Sequence, residues 1–262
     1  MPPADEGNVT LEVRGHVGLI TLNRPHARNA MTLEMYGQLK DIAAAIKPDR
    51  DLKAVVITGA GEKAFAAGTD ISKFRDFTTP QHALDYEASM DEVLNTLEAI
   101  PLPTIAAISG ACTGGGAAIA TCCDLRIGTR RLRFGFPIAR TLGNCLSMNN
   151  LARLNDLMGP ARVKEMLFTS RLIEADEALA IGLVSELSDD HEALMIEAFR
   201  LADLLSSHAP LTLRATKEGL RRLRTVSNGA DHDLIELCYG SNDFKEGLEA
   251  FLAKRPAQWT GK

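Results

Sequence analysis

Hydrophobic residues follow two different patterns along this chain. Up to about residue 143, short apolar runs predict strands, and residues 9–22 alternate around Gly15-His16 as a hairpin does. The predicted strands cover residues 9–14, 17–22, 54–58, 104–109, 125–128 and 132–134. Apolar residues at helical spacing predict helices at residues 32–47, 80–99 and 116–123. The runs at 54–58 and 104–109 are continuously apolar, which is typical of strands buried on both faces.

From about residue 144 onward, helical spacing is the main pattern. It predicts helices at residues 145–158, 161–168, 175–181, 191–206, 211–225, 231–239 and 243–252. Gly159-Pro160 and Ala209-Pro210 separate neighbouring helices, because proline suits the first turn of a helix. Strands and helices that alternate before helices run alone predict an α/β fold with a helical extension. We divide the chain into a core, residues 1–200, and a C-terminal helical region, residues 201–262.

The composition is that of a globular enzyme of one domain with an appendage. The 262 residues are 45% hydrophobic and 24% charged, and the net charge of −5 argues against nucleic acid and anionic membranes as partners. No apolar run approaches the ~20 residues of a membrane span, and the N-terminus shows no signal-peptide pattern. The five cysteines lack metal-ligand spacing, so we expect reduced thiols, no metal and a cytoplasmic location: Cys112, Cys122, Cys123, Cys145 and Cys238.

Two glycine-rich turns are the clearest chemical signal. They lie at residues 65–70 and 110–116, each after a predicted buried strand. Glycine lets a ligand approach main-chain N–H groups, and two such turns can direct two donors at one oxygen, as in an oxyanion hole. The segment at 59–64 also fits a dinucleotide fingerprint. However, Glu62 would then lie beside the pyrophosphate and no amphipathic helix begins at Lys63, so we expect no nicotinamide or flavin cofactor.

The order and spacing of several motifs resemble the crotonase (enoyl-CoA hydratase/isomerase) superfamily over nearly the whole chain. The motifs are Leu22-Asn23-Arg24-Pro25, Asn29-Ala30-Met31, Val56-Ile57-Thr58-Gly59, Lys63 to Ile71, Gly110 to Gly116, Cys123-Asp124-Leu125-Arg126, Phe134-Gly135-Phe136-Pro137, Ala178 to Val184 and Asp243 to Gly247. The resemblance implies a spiral of ββα units with a C-terminal helical trimerisation region, assembled as a homotrimer or a dimer of trimers. It implies a coenzyme A thioester as substrate, with no separate cofactor.

The resemblance also implies roles for individual residues. Thr69 and Gly115 are the implied oxyanion-hole donors. The implied acyl-CoA contacts are Arg24, Ala27, Asn29, Lys63, Ala64, Ala66, Gly68, Asp70, Ile71, Gly114, Ala118, Ile138 and Arg140. Phe251 and Lys254 match positions that a neighbouring subunit contributes to the nucleotide, although Lys254 also suits a solvated helix end. Asp70 is in addition expected to cap a short helix after the first turn.

The chain departs from the family's hydratases at both catalytic positions. These enzymes use two glutamates, and the matching residues here are Ala118 and Ile138. Each acid–base group typically contributes about 10²–10⁴-fold to the rate, so we do not expect ordinary enoyl-CoA hydration.

Other residues are candidates for the missing acid or base. Cys145 and Asp91 match catalytic positions of a dehalogenase branch, and their alternatives are a buried thiol and a solvated carboxylate. Weaker candidates are Tyr86, Glu87, Arg140 and Tyr239.

Two functions remain open. One is an acyl-CoA enzyme with a non-standard acid–base group, which would be an isomerase, dehydratase or hydratase of an unusual acyl group, decarboxylase or thioester hydrolase. The other is a non-catalytic acyl-CoA-binding or complex-forming protein.

Overall fold

Two β-sheets organise the fold in the computed structural model, which describes residues 7–48, 51–225, 236 and 239–258. The first sheet contains, in spatial order, β1 (Asn8–Arg14), β2 (Val17–Asn23), β3 (Ala54–Gly59), β5 (Thr104–Ile108), β7 (Leu125–Thr129) and β10 (Leu187–Ser188). The second contains β4 (Ala64–Ala67), β6 (Ala111–Thr113), β8 (Arg133–Gly135) and β9 (Ile173–Glu174). The strands β1 and β2 form the predicted antiparallel hairpin.

The chain passes three times from the first sheet to the second and then into helical structure. The pairs β3/β4, β5/β6 and β7/β8 repeat this path, and their members lie parallel to the equivalent strands of the next pair. The helices are α1 (Leu33–Ala45), α2 (Pro80–Glu98), α3 (Gly115–Thr121), α4 (Ile138–Thr141), α5 (Met148–Thr169), α6 (Ala175–Ala180), α7 (His191–Ser206), α8 (Pro210–Thr225) and α9 (Asn242–Leu252). This repeated path confirms the expected α/β spiral of ββα units.

The central strands are buried on both faces, as their continuous apolar runs predict. Val55 and Ile57 of β3 belong to the main core, whereas Ala54 and Val56 belong to a second cluster beneath α7. From α7, that cluster receives the buried residues Leu194, Ala198 and Ala202. Two of these three residues are alanines, whose small side chains let the helix lie close to the sheet.

Several short elements differ from the prediction. The predicted glycine turns are partly strand, because β4 and β6 occupy residues 64–67 and 111–113. The helix expected from residue 145 begins as α5 at Met148, where the Ser147 side chain caps it by accepting from the Asn150 N–H. Helical geometry is interrupted at the expected position, since Gly159 has φ of 74°.

The C-terminal segment packs against the core of its own chain. Tyr239, Phe244 and Leu248 form a buried cluster with Phe74 and Leu142, which lie in the 3-10 helix Ile71–Asp76 and just after α4. The boundary expected at residue 200 falls inside α7, and most of the helix predicted at 231–239, with Cys238, lies outside the described residues. A search of the described helices finds none with the length and apolarity of a membrane span.

The close approach of α3 to β4 gives a stability test. A Cβ atom at Gly116 would overlap the carbonyl oxygen of Ala66, a backbone atom that cannot rotate away. We expect Gly116→Ala to lower the free energy of unfolding by about 2 kcal/mol or more, as for overpacked cores. Gly37→Ala in α1 is the control, because nothing lies within 4 Å of its Cβ position, and it should stabilise the protein by about 0.5–1 kcal/mol. Equal urea midpoints for the two variants would show that the close contact is not present.

Candidate active site

The two glycine turns meet on the wall of one cavity of about 210 Å³. Thr69 and Gly115 both line this cavity, beside Gly68 and Gly114. Gly68 and Gly114 have φ of 98° and 51°, in the left-handed region that favours glycine. A Cβ atom on Gly114 would lie 3.4 Å from the Cα atom of Gly68, so the turns are nearly in contact. The fold therefore brings together the two segments that the sequence singles out.

The backbone N–H groups of Thr69 and Gly115 are available for a ligand. Met31 pairs with Thr69 in a parallel bridge that uses the neighbouring groups, from Met31 N–H to Gly68 C=O at 2.9 Å and from Asp70 N–H to Met31 C=O at 2.8 Å. A parallel pairing of this kind points the N–H of Thr69 away from its partner. Gly115 begins α3, where an N–H has no helical acceptor. Among the hydrogen bonds of the described residues, none is donated by either N–H.

Tyr36 supports the Thr69 turn from α1. Its hydroxyl lies 2.8 Å from the Thr69 hydroxyl, and a Cβ atom on Gly115 would overlap it. Burial raises the pKa of Tyr36 to about 12, although the Thr69 hydroxyl acts in the opposite direction. Tyr36 therefore stays neutral near pH 7 and packs against both turns.

The rest of the cavity wall is mostly apolar, with a polar group at one side. Among the lining residues that the structure describes, Glu87 is the one charged side chain. Glu87 is 7% exposed and accepts a short hydrogen bond from the Tyr239 hydroxyl. The Asn144 amide in turn donates to the Tyr239 oxygen at 3.2 Å. The buried Oδ1 atom of Asn144 accepts no hydrogen bond from a described residue, so it can accept one from a bound molecule.

The structure separates the predicted acid–base candidates. Cys145 lines the cavity, as expected for a residue near the acyl group. Asp91 does not line it, and its two oxygens accept hydrogen bonds from Ser147 Oγ at 2.8 Å and Asn149 Nδ2 at 2.6 Å. Arg140 is exposed on α4 and is likewise absent from the wall. Neither Asp91 nor Arg140 therefore lies where its side chain forms part of the cavity wall.

The predicted substrate contacts divide into two sets. Those on the cavity wall are Gly68, Ile71, Gly114, Ala118, Ile138 and Phe251. Those outside it are Arg24, Ala27, Asn29, Lys63, Ala64, Ala66, Asp70, Arg140 and Lys254. Phe251, which the resemblance assigns to the site of a neighbouring subunit, lies on the cavity wall of its own chain, where α9 packs against α4 and the 3-10 helix.

Three polar residues of the predicted groove brace the first turn. The buried Asn29 side chain accepts from Arg24 N–H at 2.9 Å and donates to Ala60 C=O at 3.0 Å and Ala64 C=O at 2.8 Å. Arg24 forms an ion pair with Asp70 at 3.0 Å, and Asp70 caps the 3-10 helix through Ser72 N–H, as predicted. Burial opposes ionisation of Asp70, but the bonds from Ser72 and Arg24 outweigh it and hold its pKa below the ordinary value.

Glu87 was only a weak candidate from the sequence, although a signal for it exists. Buried residues of α2 recur at helical spacing as Ala83, Met90, Leu94 and Leu97, and Glu87 lies on the same stripe. A carboxylate in the apolar stripe of a helix costs free energy unless it is paired, so such a position points to a function or a specific partner.

Comparisons with known proteins agree with the motifs and the fold. A family model described as enoyl-CoA hydratase/isomerase matches residues 12–262. Crotonyl-CoA hydratase of Syntrophomonas wolfei is 34% identical over 259 residues, which cover 97% of this chain and 98% of that protein. An enoyl-CoA hydratase/carnithine racemase structure from Magnetospirillum magneticum has a TM-score of 0.78 and 36% identity, covering 97% of this chain and 96% of that chain. Methylmalonyl-CoA decarboxylase in complex with 2-nitronate-propionyl-CoA has a TM-score of 0.87 and 25% identity, covering 97% and 98%.

The ionised Asp70 gives a pH test of the first turn. Because the folded-state pKa of Asp70 is lower than its ordinary value of 3.8, its stabilising effect is present above that pH and is lost as the pH falls through the folded-state value. We therefore expect Asp70→Asn to lower the melting temperature at pH 7, with a difference from wild type that shrinks below about pH 3.8. Asp41→Asn, at an exposed position of α1, is the control. A difference that is constant with pH would contradict this role of the carboxylate.

Proposed function

The chain belongs to the enoyl-CoA hydratase/isomerase family, and we propose that it transfers a proton on acyl-CoA thioesters through an enolate, without the two glutamates of the family's hydratases. The observation that carries this proposal is that Thr69 and Gly115 present two unused N–H groups at one cavity. The relatives whose names specify CoA thioesters support the same substrate class.

The proposed intermediate explains the need for two donors. Loss of a proton from the carbon next to the thioester moves negative charge onto the carbonyl oxygen. Two preorganised N–H groups stabilise that oxyanion, and one such donor is typically worth about 10²–10³-fold in rate. The mostly apolar wall strengthens these hydrogen bonds, because little water competes for the charge.

Hydration does not fit the residues that line this cavity. Ala118 and Ile138 are both on the wall, and neither side chain can activate water or carry a proton. Adding water needs a group for the water and a proton for the carbon, whereas a shift within the acyl chain needs one group that takes a proton and returns it. We therefore favour an isomerase-type proton shift over hydration.

The charge of the cavity limits the charge that a bound acyl group can carry. A substrate with a free carboxylate, as decarboxylation of a malonyl-type thioester would need, would place it beside Glu87. No cation among the described lining residues would offset that repulsion. We propose a neutral acyl group, although methylmalonyl-CoA decarboxylase is similar in fold.

The remaining parts of the proposal concern coenzyme A and assembly. The residues outside the cavity that we propose for the pantetheine and nucleotide are Arg24, Ala27, Asn29, Lys63, Ala64, Ala66 and Lys254. We also propose a homotrimer or a dimer of trimers in the cytoplasm, with no separate cofactor. A protein that binds acyl-CoA without turnover is the alternative, and the absence of both hydratase glutamates favours it.

Hydrogen exchange at the α-carbon separates these functions. We expect the protein, incubated with a panel of saturated and 3-enoyl-CoA thioesters in deuterated buffer, to introduce deuterium that mass spectrometry detects. Hydration of crotonyl-CoA, followed by loss of enoyl absorbance, should be at least about 10²-fold slower than in a two-glutamate relative assayed in parallel.

Each other outcome counts against the proposal in a defined way. Binding of the thioesters by calorimetry without any exchange would support the non-catalytic alternative. Release of free thiol, measured in the same samples, would indicate a thioester hydrolase. Rapid crotonyl-CoA hydration would show that Ala118 and Ile138 do not prevent the ordinary reaction.

A further inference from the structure

Glu87 is a buried carboxylate that the family's hydratase pattern does not account for. It faces the same cavity as the two oxyanion donors, from α2 rather than from either glycine-rich segment. We propose that Glu87 is the acid–base group that takes and returns the substrate proton, and that Tyr239 positions its carboxylate. This inference rests on the proposed function and names the proton carrier that the proposed function leaves open.

Glu87 and the Thr69 turn share two neighbours, Tyr36 and Tyr86. Burial is the main cause that raises the pKa of both Tyr36 and Tyr86, and the charge of Glu87 raises the pKa of each further. The Thr69 hydroxyl lowers the pKa of the same two tyrosines. Both tyrosines line the same cavity as Glu87, Thr69 and Gly115. The proposal requires that the α-carbon of a thioester held at Thr69 and Gly115 reaches the Glu87 carboxylate within this cavity.

The proton transfer balances without another reactant. A carboxylate oxygen of Glu87 accepts the proton as the α-carbon–hydrogen bond breaks. The electron pair of that bond forms the enolate double bond, and the negative charge moves to the oxygen held by the two N–H groups. Return of the proton to the same carbon, or to another carbon of an unsaturated chain, restores the carboxylate.

Tyr239 acts on Glu87 as a fixed donor. Burial and the charge of Glu87 raise the pKa of Tyr239 well above its ordinary value, so this tyrosine keeps its proton near neutral pH. The Tyr239 hydroxyl donates a hydrogen bond to a Glu87 oxygen, while the Asn144 amide donates one to the tyrosine oxygen. Since Tyr239 lies in the C-terminal cluster with Phe244, docking of that segment completes the arrangement.

Two other residues are weaker candidates on geometric grounds. Asp91 lies one turn further along α2, but it is outside the cavity and holds Ser147 and Asn149 at the start of α5. Cys145 is on the wall and is therefore the stronger competitor. Glu87 is preferred because its carboxylate accepts a hydrogen bond from the Tyr239 hydroxyl, which favours the charged form that can take a proton.

The test compares Glu87→Gln with a matched carboxylate variant on the same helix. The amide keeps the shape and the acceptor for Tyr239 but cannot take a proton. We expect α-proton exchange to fall by at least about 100-fold while the dissociation constant for the acyl-CoA changes by less than about threefold. Glu92→Gln is the control, because Glu92 is exposed and pairs with Lys40. It should leave both quantities unchanged.

Tyr239→Phe tests the positioning role by a different readout. Loss of a donor to the carboxylate disfavours its charged form, so the acidic limb of the pH–rate profile should move to higher pH. The maximal exchange rate should fall less than in Glu87→Gln. An unchanged limb with a lower maximal rate would indicate that Tyr239 only supports packing.

The outcomes distinguish failure of this inference from failure of the proposed function. If the wild type exchanges protons and Glu87→Gln retains the rate, Glu87 is not the carrier and the proposed function stands. In that case Cys145→Ala, which changes the other candidate on the cavity wall, should abolish exchange. If the wild type exchanges no protons with any thioester that it binds, the proposed function itself is wrong.

Discussion

The fold depends on backbone touching backbone where the second sheet meets the first. Side chains at Gly110 and Gly116 would overlap the carbonyl oxygens of Lys63 and Ala66, so glycine is required where β4 approaches these two positions. This close approach brings the end of β4 against the beginning of α3. As a result, the N–H groups of Thr69 and Gly115 reach one cavity although 45 residues separate them in the sequence, from 69 to 115 with both ends excluded. Packing and the candidate chemistry therefore have the same physical origin.

The cavity combines the two glycine turns with an unusual set of other groups. Its wall is mostly apolar, and the side chains at the two hydratase positions are alanine and isoleucine. The one carboxylate among the described lining residues comes from α2 and is held by a tyrosine from the C-terminal segment. In the proposed function, the two N–H groups stabilise an enolate and the position of the proton carrier decides the product. One fold can host different reactions in this way.

The sequence predicts some parts of this structure better than others, for physical reasons. Strands β3 and β5 are readily predicted because their continuous apolar runs match burial on both faces. Strands β4 and β6 are not, since they are short, rich in small residues and stabilised by pairing with each other. The glycine-rich turns that the sequence singles out line one cavity, but the bond between Tyr239 and Glu87 joins residues 152 positions apart. Local patterns contain no information about such a contact. Asp91, a stronger candidate than Glu87 from the sequence, lies one helical turn from Glu87 and outside the cavity wall.

The proposed chemistry depends on two backbone donors that hold one thioester oxygen. A crystal structure with a stable acyl-CoA analogue that retains the carbonyl, such as an acyl-CoA in which methylene replaces the thioester sulfur, tests it most directly. We expect the carbonyl oxygen to lie about 2.7–3.1 Å from the backbone nitrogens of both Thr69 and Gly115. A carbonyl oxygen bound elsewhere in the cavity, or held by only one of the two nitrogens, would contradict it.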